Sequence, residues 1–550
     1  MPKKKSAAKT VILVLATALI AGGAVAGGFA IKKYVDENAI AMPWSNKEYE
    51  GTHVGVRLYH DGETDPVRLG AAANFKAGVN GERNDFDAYP IYSAMKQKKK
   101  GSDIVVTVPE HYVKTIATTT YTDYMMASTK LDDTWLKVPA HDVGSYKANV
   151  TFDSKNKGTM HSQKDVYPSF NFMKTEGADY AKNAGGFLTT YTEAMDLNYL
   201  MTIEFATDNL EDVFSGFKSA STIEDLAFDI DIQKTGKTNV IRVDSEVLNE
   251  ALGDRKLNET IIPGFTSICV QEDGNYVSSD IATVTGIKKT NVSIAPQASS
   301  SESSSSAEAV THNVYEISID KTINFEEEQK TLAKRWVERK AASGEEFEES
   351  DFENEGGGLT LQIGNYVKNG LTDELKGSSN ELKSINGVDL PKGMRPFSYR
   401  GIENWYGGLY EWIDGVQAKA VSSEDEGKRG SFLQVCDDKE LMGESNAPDA
   451  KTPDYKTIYS HNSSNGNWIT GLAEGNETNP FVIAGTQNSE GGLNDCIYMP
   501  SFNSNEESVT LQPVYRGAGW CYDAYQGAWC LYGRIDFSSW HYYIGGRLGF

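Results

Sequence analysis

An α+β fold is predicted, on three observations. Short β-branched runs recur along the chain, among them Ile104 to Val108, Asn239 to Val243, Thr266 to Val270, Ile281 to Thr285 and Val314 to Ile319. Two stretches, Thr192 to Phe205 and Glu326 to Ala342, set apolar residues at helical spacing, the second with Leu332 and Trp336 on one face. The remainder is rich in Gly, Asn and Ser, which calls for many turns and long loops.

In chain order, residues 1–40 carry an export segment and stalk, and 41–216 form the first part of the main body. Residues 217–325 gather four of the β-branched runs, which predicts a β-rich insertion containing the low-complexity Ser loop 299–306. Residues 326–395 hold the second helix and an acidic, Gly-ended linker. Residues 396–550 form a C-terminal domain of loops pinned by short strands, apart from the longer apolar run Ile402 to Val416. A chain of 550 residues has room for about three or four domains, so size alone requires no stapling by disulfides or metal.

The export segment has two readings. Lys3, Lys4, Lys5 and Lys9 precede Thr10 to Ile31, 22 residues without a charge, long enough for a membrane anchor whose basic flank stays in the cytoplasm. Val11 to Ala21 followed by Ala24-Val25-Ala26 also fits a cleaved signal peptide. Either reading puts the body outside the cell, held by a single pass or secreted.

Composition excludes several function classes. Asp and Glu number 77 against 53 Lys and Arg, a net charge of −24, so a basic face for nucleic acid is not expected. Five cysteines rule out a disulfide-dense scaffold, and none has zinc-site spacing. No hydrolase elbow, zincin, phosphate-loop or dinucleotide fingerprint occurs, so no cofactor is expected. Loop carboxylates leave structural calcium open, without EF-hand spacing.

Two blocks stand out. Pro396 to Gly415 reads PFSYRGIENWYGGLYEWIDG, and Val514-Tyr-Arg-Gly-Ala-Gly-Trp520 runs on to Ile544-Gly-Gly-Arg-Leu548. They resemble the C-type-lectin-like fold of formylglycine-generating enzymes, phage tail-tip proteins and the variable proteins of diversity-generating retroelements. Gly408 departs from the usual Asn, and Ala518 or Gly519 from the usual Gly pair. Phe86 to Lys96, Val106 to Tyr112 and Tyr199 to Thr207 are similar to upstream segments of the phage and retroelement subgroup. The resemblance implies a C-type-lectin-like body split by the insertion.

The last 35 residues, 516–550, hold ten aromatics and neither Lys nor Glu. Large rigid rings with Ser, Gly and Asp between them suit a recognition surface, although a core segment is the competing reading. In retroelement variable proteins this stretch is diversified at adenines, and the resemblance implies a ligand-facing set of Cys521, Tyr522, Asp523, Tyr525, Cys530, Tyr532, Arg534, Asp536, Ser538, His541, Tyr542 and Tyr543. Framework roles fall to Arg400, Gly401, Glu403, Asn404, Trp412, Asp414, Trp520, Trp529, Trp540 and Arg547. The implied function is surface display of a diversified face for a protein or glycan ligand on another cell or particle. A phage tail-tip adhesin is the runner-up. A cysteine oxidase is third, since Cys521 and Cys530 have the wrong spacing and no neighbouring charge to activate a thiol.

Overall fold

The computed structural model describes residues 49, 51–155, 157–217, 223–227, 237–272, 276–277, 281–294, 310–342, 347–349, 351, 359–364, 366–436, 455–461, 467–477, 479–487, 493, 495–518, 527–537, 539, 541 and 543–550. Strand accounts for 43% and helix for 17%, so the class is β-rich and the α+β expectation is corrected. The difference arises mainly in the C-terminal third, where loops were expected and a nine-stranded sheet stands. Several of its strands are only two or three residues long and the longer ones are bulged, which hides the period-two pattern that marks a strand. Among the described residues no helix is long and apolar enough to cross a membrane, and the segment Thr10 to Ile31 lies outside them.

The buried helix expected near residue 192 is α1, Tyr191–Phe205. It starts where Thr190 Oγ1 accepts the Glu193 N–H at 3.2 Å while the Glu193 carboxylate accepts the Thr190 N–H at 3.0 Å. Thirteen of its fifteen residues are buried, so it is a central strut and not an amphipathic surface helix. Two five-stranded sheets lie in the N-terminal part. One contains His53–Tyr59, His111–Ala117 and Tyr121–Ala127. The other pairs Asp103–Val108 with His141–Gly144 and takes in Leu548–Gly549 from the chain's end.

The insertion is a seven-stranded antiparallel sheet with its own core, including Ile241, Ile268, Val284, Ile317 and Ile363. Helix α2, Phe325–Ala342, packs Ala333 and Trp336 into that core, and Leu359–Gly364 joins the sheet. The inserted sheet thus takes in Leu359–Gly364, which lies past the expected boundary at 325. The Ser-rich loop 299–306 lies outside the described residues.

The C-terminal sheet is built on β1, Tyr410–Ser422, with β2 (Cys496–Tyr498), β3 (Ser508–Arg516), β4 (Leu531–Tyr532) and β5 (Ile544–Gly546). Its order along the sheet is Lys456–His461, Gly430–Val435, β1, β3, β4, β2, Asn467–Ala473 and Val482–Gln487, with β5 lying parallel to β1. The two ends approach each other, and Tyr459 Oη lies 2.7 Å from Thr486 Oγ1 across the gap. The sheet is thus nearly closed, like a barrel, which leaves little exposed edge.

Candidate functional site

Register at β1 assembles a buried charge cluster beneath the C-terminal segment. Antiparallel pairing sets Arg516 opposite Glu411, and parallel pairing sets Gly546, the residue before Arg547, opposite Trp412. Glu411 Oε2 accepts from Arg516 Nη2 at 2.6 Å, and Oε1 accepts from Arg547 Nε at 2.9 Å and Lys147 Nζ at 2.8 Å. Burial alone would raise the Glu411 carboxyl, but Arg547, Lys147 and Arg516 together hold it far below the usual carboxylate range. With three cations to one anion, burial lowers the Lys147 ammonium to about 7 and the Arg516 guanidinium to about 10.

The same groups fix the backbone. Arg547 donates to the carbonyls of Gly144, Glu403 and Asn404, and Arg516 lies 3.5 Å over the Trp405 ring. Trp405 in turn donates its indole N–H to Asn198 Oδ1 at 2.7 Å, and Asn198 Nδ2 donates to Ala528 O at 2.7 Å. Helix α1 thereby sets where the C-terminal segment returns to the sheet.

The block 396–415 is locked in the same way. Arg400 has φ +49° and Asn404 φ +47°, both uncommon for residues other than glycine. Arg400 is held there by a two-pronged pair to Glu204, Nε to Oε2 at 2.8 Å and Nη2 to Oε1 at 2.7 Å. Gly401 follows at φ +88°, where a Cβ would meet Gln97 Cγ at 2.7 Å, so no other residue fits without movement. Glu403, whose carboxyl burial pushes up, accepts from Gly370 N, Thr372 N and Thr372 Oγ1. Asp414 pairs with Lys174 and accepts the Leu188 N–H at 3.0 Å, and Trp412 donates Nε1–H to Phe172 O at 3.0 Å. A polar cleft of about 490 Å³ opens beside Arg400, with Asp87, Lys96, Gln97, Asp373 and Asn380 among its walls.

The residues expected to face ligand fall into three groups. Cys521, Tyr522, Asp523, Tyr525, Ser538 and Tyr542 lie outside the described residues, as do Trp520 and Trp540. Cys530 belongs to the interior, which corrects its expected exposure, and Tyr532 is half-buried. Cys530 is 0% exposed. The Tyr532 ring is sandwiched between Tyr498 at 4.5 Å and Tyr515 at 4.9 Å, with Tyr410 edge-on at 5.2 Å. Tyr543 is half-buried against Tyr410 and stacks on His541 at 4.8 Å. Arg534 and Asp536 are exposed, and His541 is intermediate.

The described residues of the segment 533–543 lie between two ends that are tied down. Gly533 N–H donates to Tyr498 O at 2.8 Å and Tyr410 N–H to Tyr543 O at 2.9 Å. Arg534 Nε donates to Met499 O at 2.8 Å, and its guanidinium lies 5.4 Å over Tyr498. A second pair of stems is closed by Gly517 N–H to Cys530 O at 3.1 Å and braced where Asp495 Oδ2 accepts the Trp529 N–H at 2.7 Å.

Lys147, Glu204, Glu411 and Arg516 were missed as site-forming residues. Glu411 and Arg516 lay inside the two quoted blocks, and a carboxylate and a guanidinium amid buried aromatics were the available signal. Lys147 and Glu204 carried none, because their partners are 264 and 196 positions away. Among the described residues no group of three or more His, Cys, Asp or Glu is arranged to hold a metal ion. No protein-family model matches the chain, and no curated protein matches it either.

Proposed function

We propose that this chain is a ligand-binding protein, exported and displayed outside the cell, whose C-terminal loops form the recognition face. The resemblance to retroelement variable proteins supplies the class, and a protein or glycan on another cell or particle is the partner. The observation that carries the reading is a contrast within segment 533–543. Arg534 and Asp536 are exposed, whereas the flanking Leu531, Gly533 and Ile544 are buried and the stems are hydrogen-bonded to the sheet. Side chains that change without disturbing their support, on loops held by a rigid scaffold, are what a diversified face requires. The reading as a cysteine oxidase gains no support from Cys530, since burial pushes its thiol well above the ordinary value and so disfavours the reactive thiolate.

The test is to probe the immobilised full chain with a glycan array and with intact bacterial cells. A triple variant, Arg534→Ala, Asp536→Ala and His541→Ala, is compared at equal concentration. Binding by the parent that falls at least thirtyfold in the variant, with a largely unchanged Tm, supports the reading, since hot spots on such a face cost affinity more than stability. Equal binding by both proteins contradicts it.

A further inference from the structure

We propose that Cys496 and Cys530 are a disulfide-forming pair that bolts β4 to β2. Parallel pairing of the two strands sets Ile497 opposite Leu531 and Tyr498 opposite Tyr532. Extended one step back, to the residue that immediately precedes β4, the same register would set Cys496 opposite Cys530. Side chains alternate along a strand, and the rings of Tyr498 and Tyr532 stack at 4.5 Å and 9° on one face. Cys496 and Cys530, two positions before them, therefore share that face. Neighbouring strands lie about 4.8 Å apart, inside the window of roughly 4.4–6.8 Å that a disulfide spans between Cα atoms.

Both are buried thiols in this structure, at 4% and 0% exposure. Burial makes each inert to reagents in the folded chain, so the bond forms during folding, before the sheet closes. The two thiols give up two protons and two electrons as the S–S bond forms. Those electrons cleave the S–S bond of one small-molecule disulfide, such as oxidised glutathione, which leaves as two thiols. Of the remaining cysteines, Cys269 lies in the strand Ser267–Glu272 of the inserted sheet and Cys436 follows the strand Gly430–Val435. Neither stands opposite another cysteine in its ladder. The consequence is local. Cys530 O also accepts the Gly517 N–H, so the bond would fix the end of β3 as well.

The experiment refolds the full chain from denaturant in a mixture of oxidised and reduced glutathione, then unfolds it in the presence of an alkylating reagent and no reductant. Three of the five cysteines are expected to take up the label. Proteolysis should yield the segment bearing Cys496 linked to that bearing Cys530. The link should persist in Cys521→Ser, and Cys530→Ser should remove it. Five labelled cysteines in the parent, or a link that survives Cys530→Ser and vanishes in Cys521→Ser, would overturn the assignment. Because the parent chain itself is counted, the result does not depend on any variant folding.

Discussion

Glu411 and Arg547 meet in the interior, Nε to Oε1 at 2.9 Å, with neither side chain more than 1% exposed. The pair joins β1 to the last residues of the chain. Through the carbonyls of Gly144, Glu403 and Asn404 it also joins both to the block 396–415 and to the N-terminal body. Removing the carboxylate would leave three cations in the interior without an anion. Glu411→Gln is expected to cost about 3–5 kcal/mol, as breaking a buried ion pair does. Urea unfolding measures it. Replacing Glu426, whose partner Arg429 sits on the surface, should leave the midpoint unmoved.

A second buried group sets the pH dependence. His111 lies between two acceptors, Nδ1 at 2.9 Å from Pro109 O and Nε2 at 2.9 Å from Asp196 Oδ1. Facing a carbonyl and a carboxylate, the ring must carry both protons to satisfy both contacts. Burial lowers its pKa, but the charge and hydrogen bond of Asp196 outweigh burial and raise it above 6.5. A raised folded value means stability that is complete below the unfolded pKa and is lost as pH climbs through the folded one. Lys147 acts in the opposite sense. Its folded value of about 7 lies below its ordinary 10.5, so its contribution grows with pH between the two. Asp196→Asn isolates the imidazole: unfolding free energy followed from pH 5 to 9 should lose the falling component that the parent shows above pH 6.5.

Tyr532 and Arg534, two positions apart, should respond in opposite ways. Tyr532→Ser removes the middle ring of a three-ring stack and is expected to destabilise by about 2–3 kcal/mol. Arg534→Ala, at an exposed position, gives up the Nε–H bond to Met499 O and should cost no more than about 1 kcal/mol in thermal unfolding. Equal losses would place both in the core.

Much of the fold was legible where the pattern was local. The helix near residue 192 and the strands at Ile104 to Val108 and Thr266 to Val270 announced themselves by spacing and β-branching and form close to their expected bounds, while the strand expected at Val314 to Ile319 runs from Val310 to Asn324. The C-terminal sheet did not. The strand at 508–516 owes its place to pairing with β1 some ninety residues earlier, and such long-range register leaves no local trace. At the site, the density of aromatics was visible but not its partition. Tyr532 and Tyr543 read as outward because polar residues flank them, yet stacking on Tyr498 and Tyr515 half-buries the first and packing against Tyr410 half-buries the second. Glu204 was unreadable as the partner of Arg400 for the same reason: the contact is made across 196 positions.

The most direct test is a display library of the full chain with Arg534, Asp536, Ser539 and His541 randomised together. Folding is scored by resistance to protease before any ligand is applied. Most members are expected to survive, because the ends are held by backbone bonds, Gly533 N–H to Tyr498 O and Tyr410 N–H to Tyr543 O, that changing these side chains leaves in place. Loss of folding in most members would mean that segment 533–543 is part of the packed core, and would contradict the claim that it is a variable face on a fixed frame.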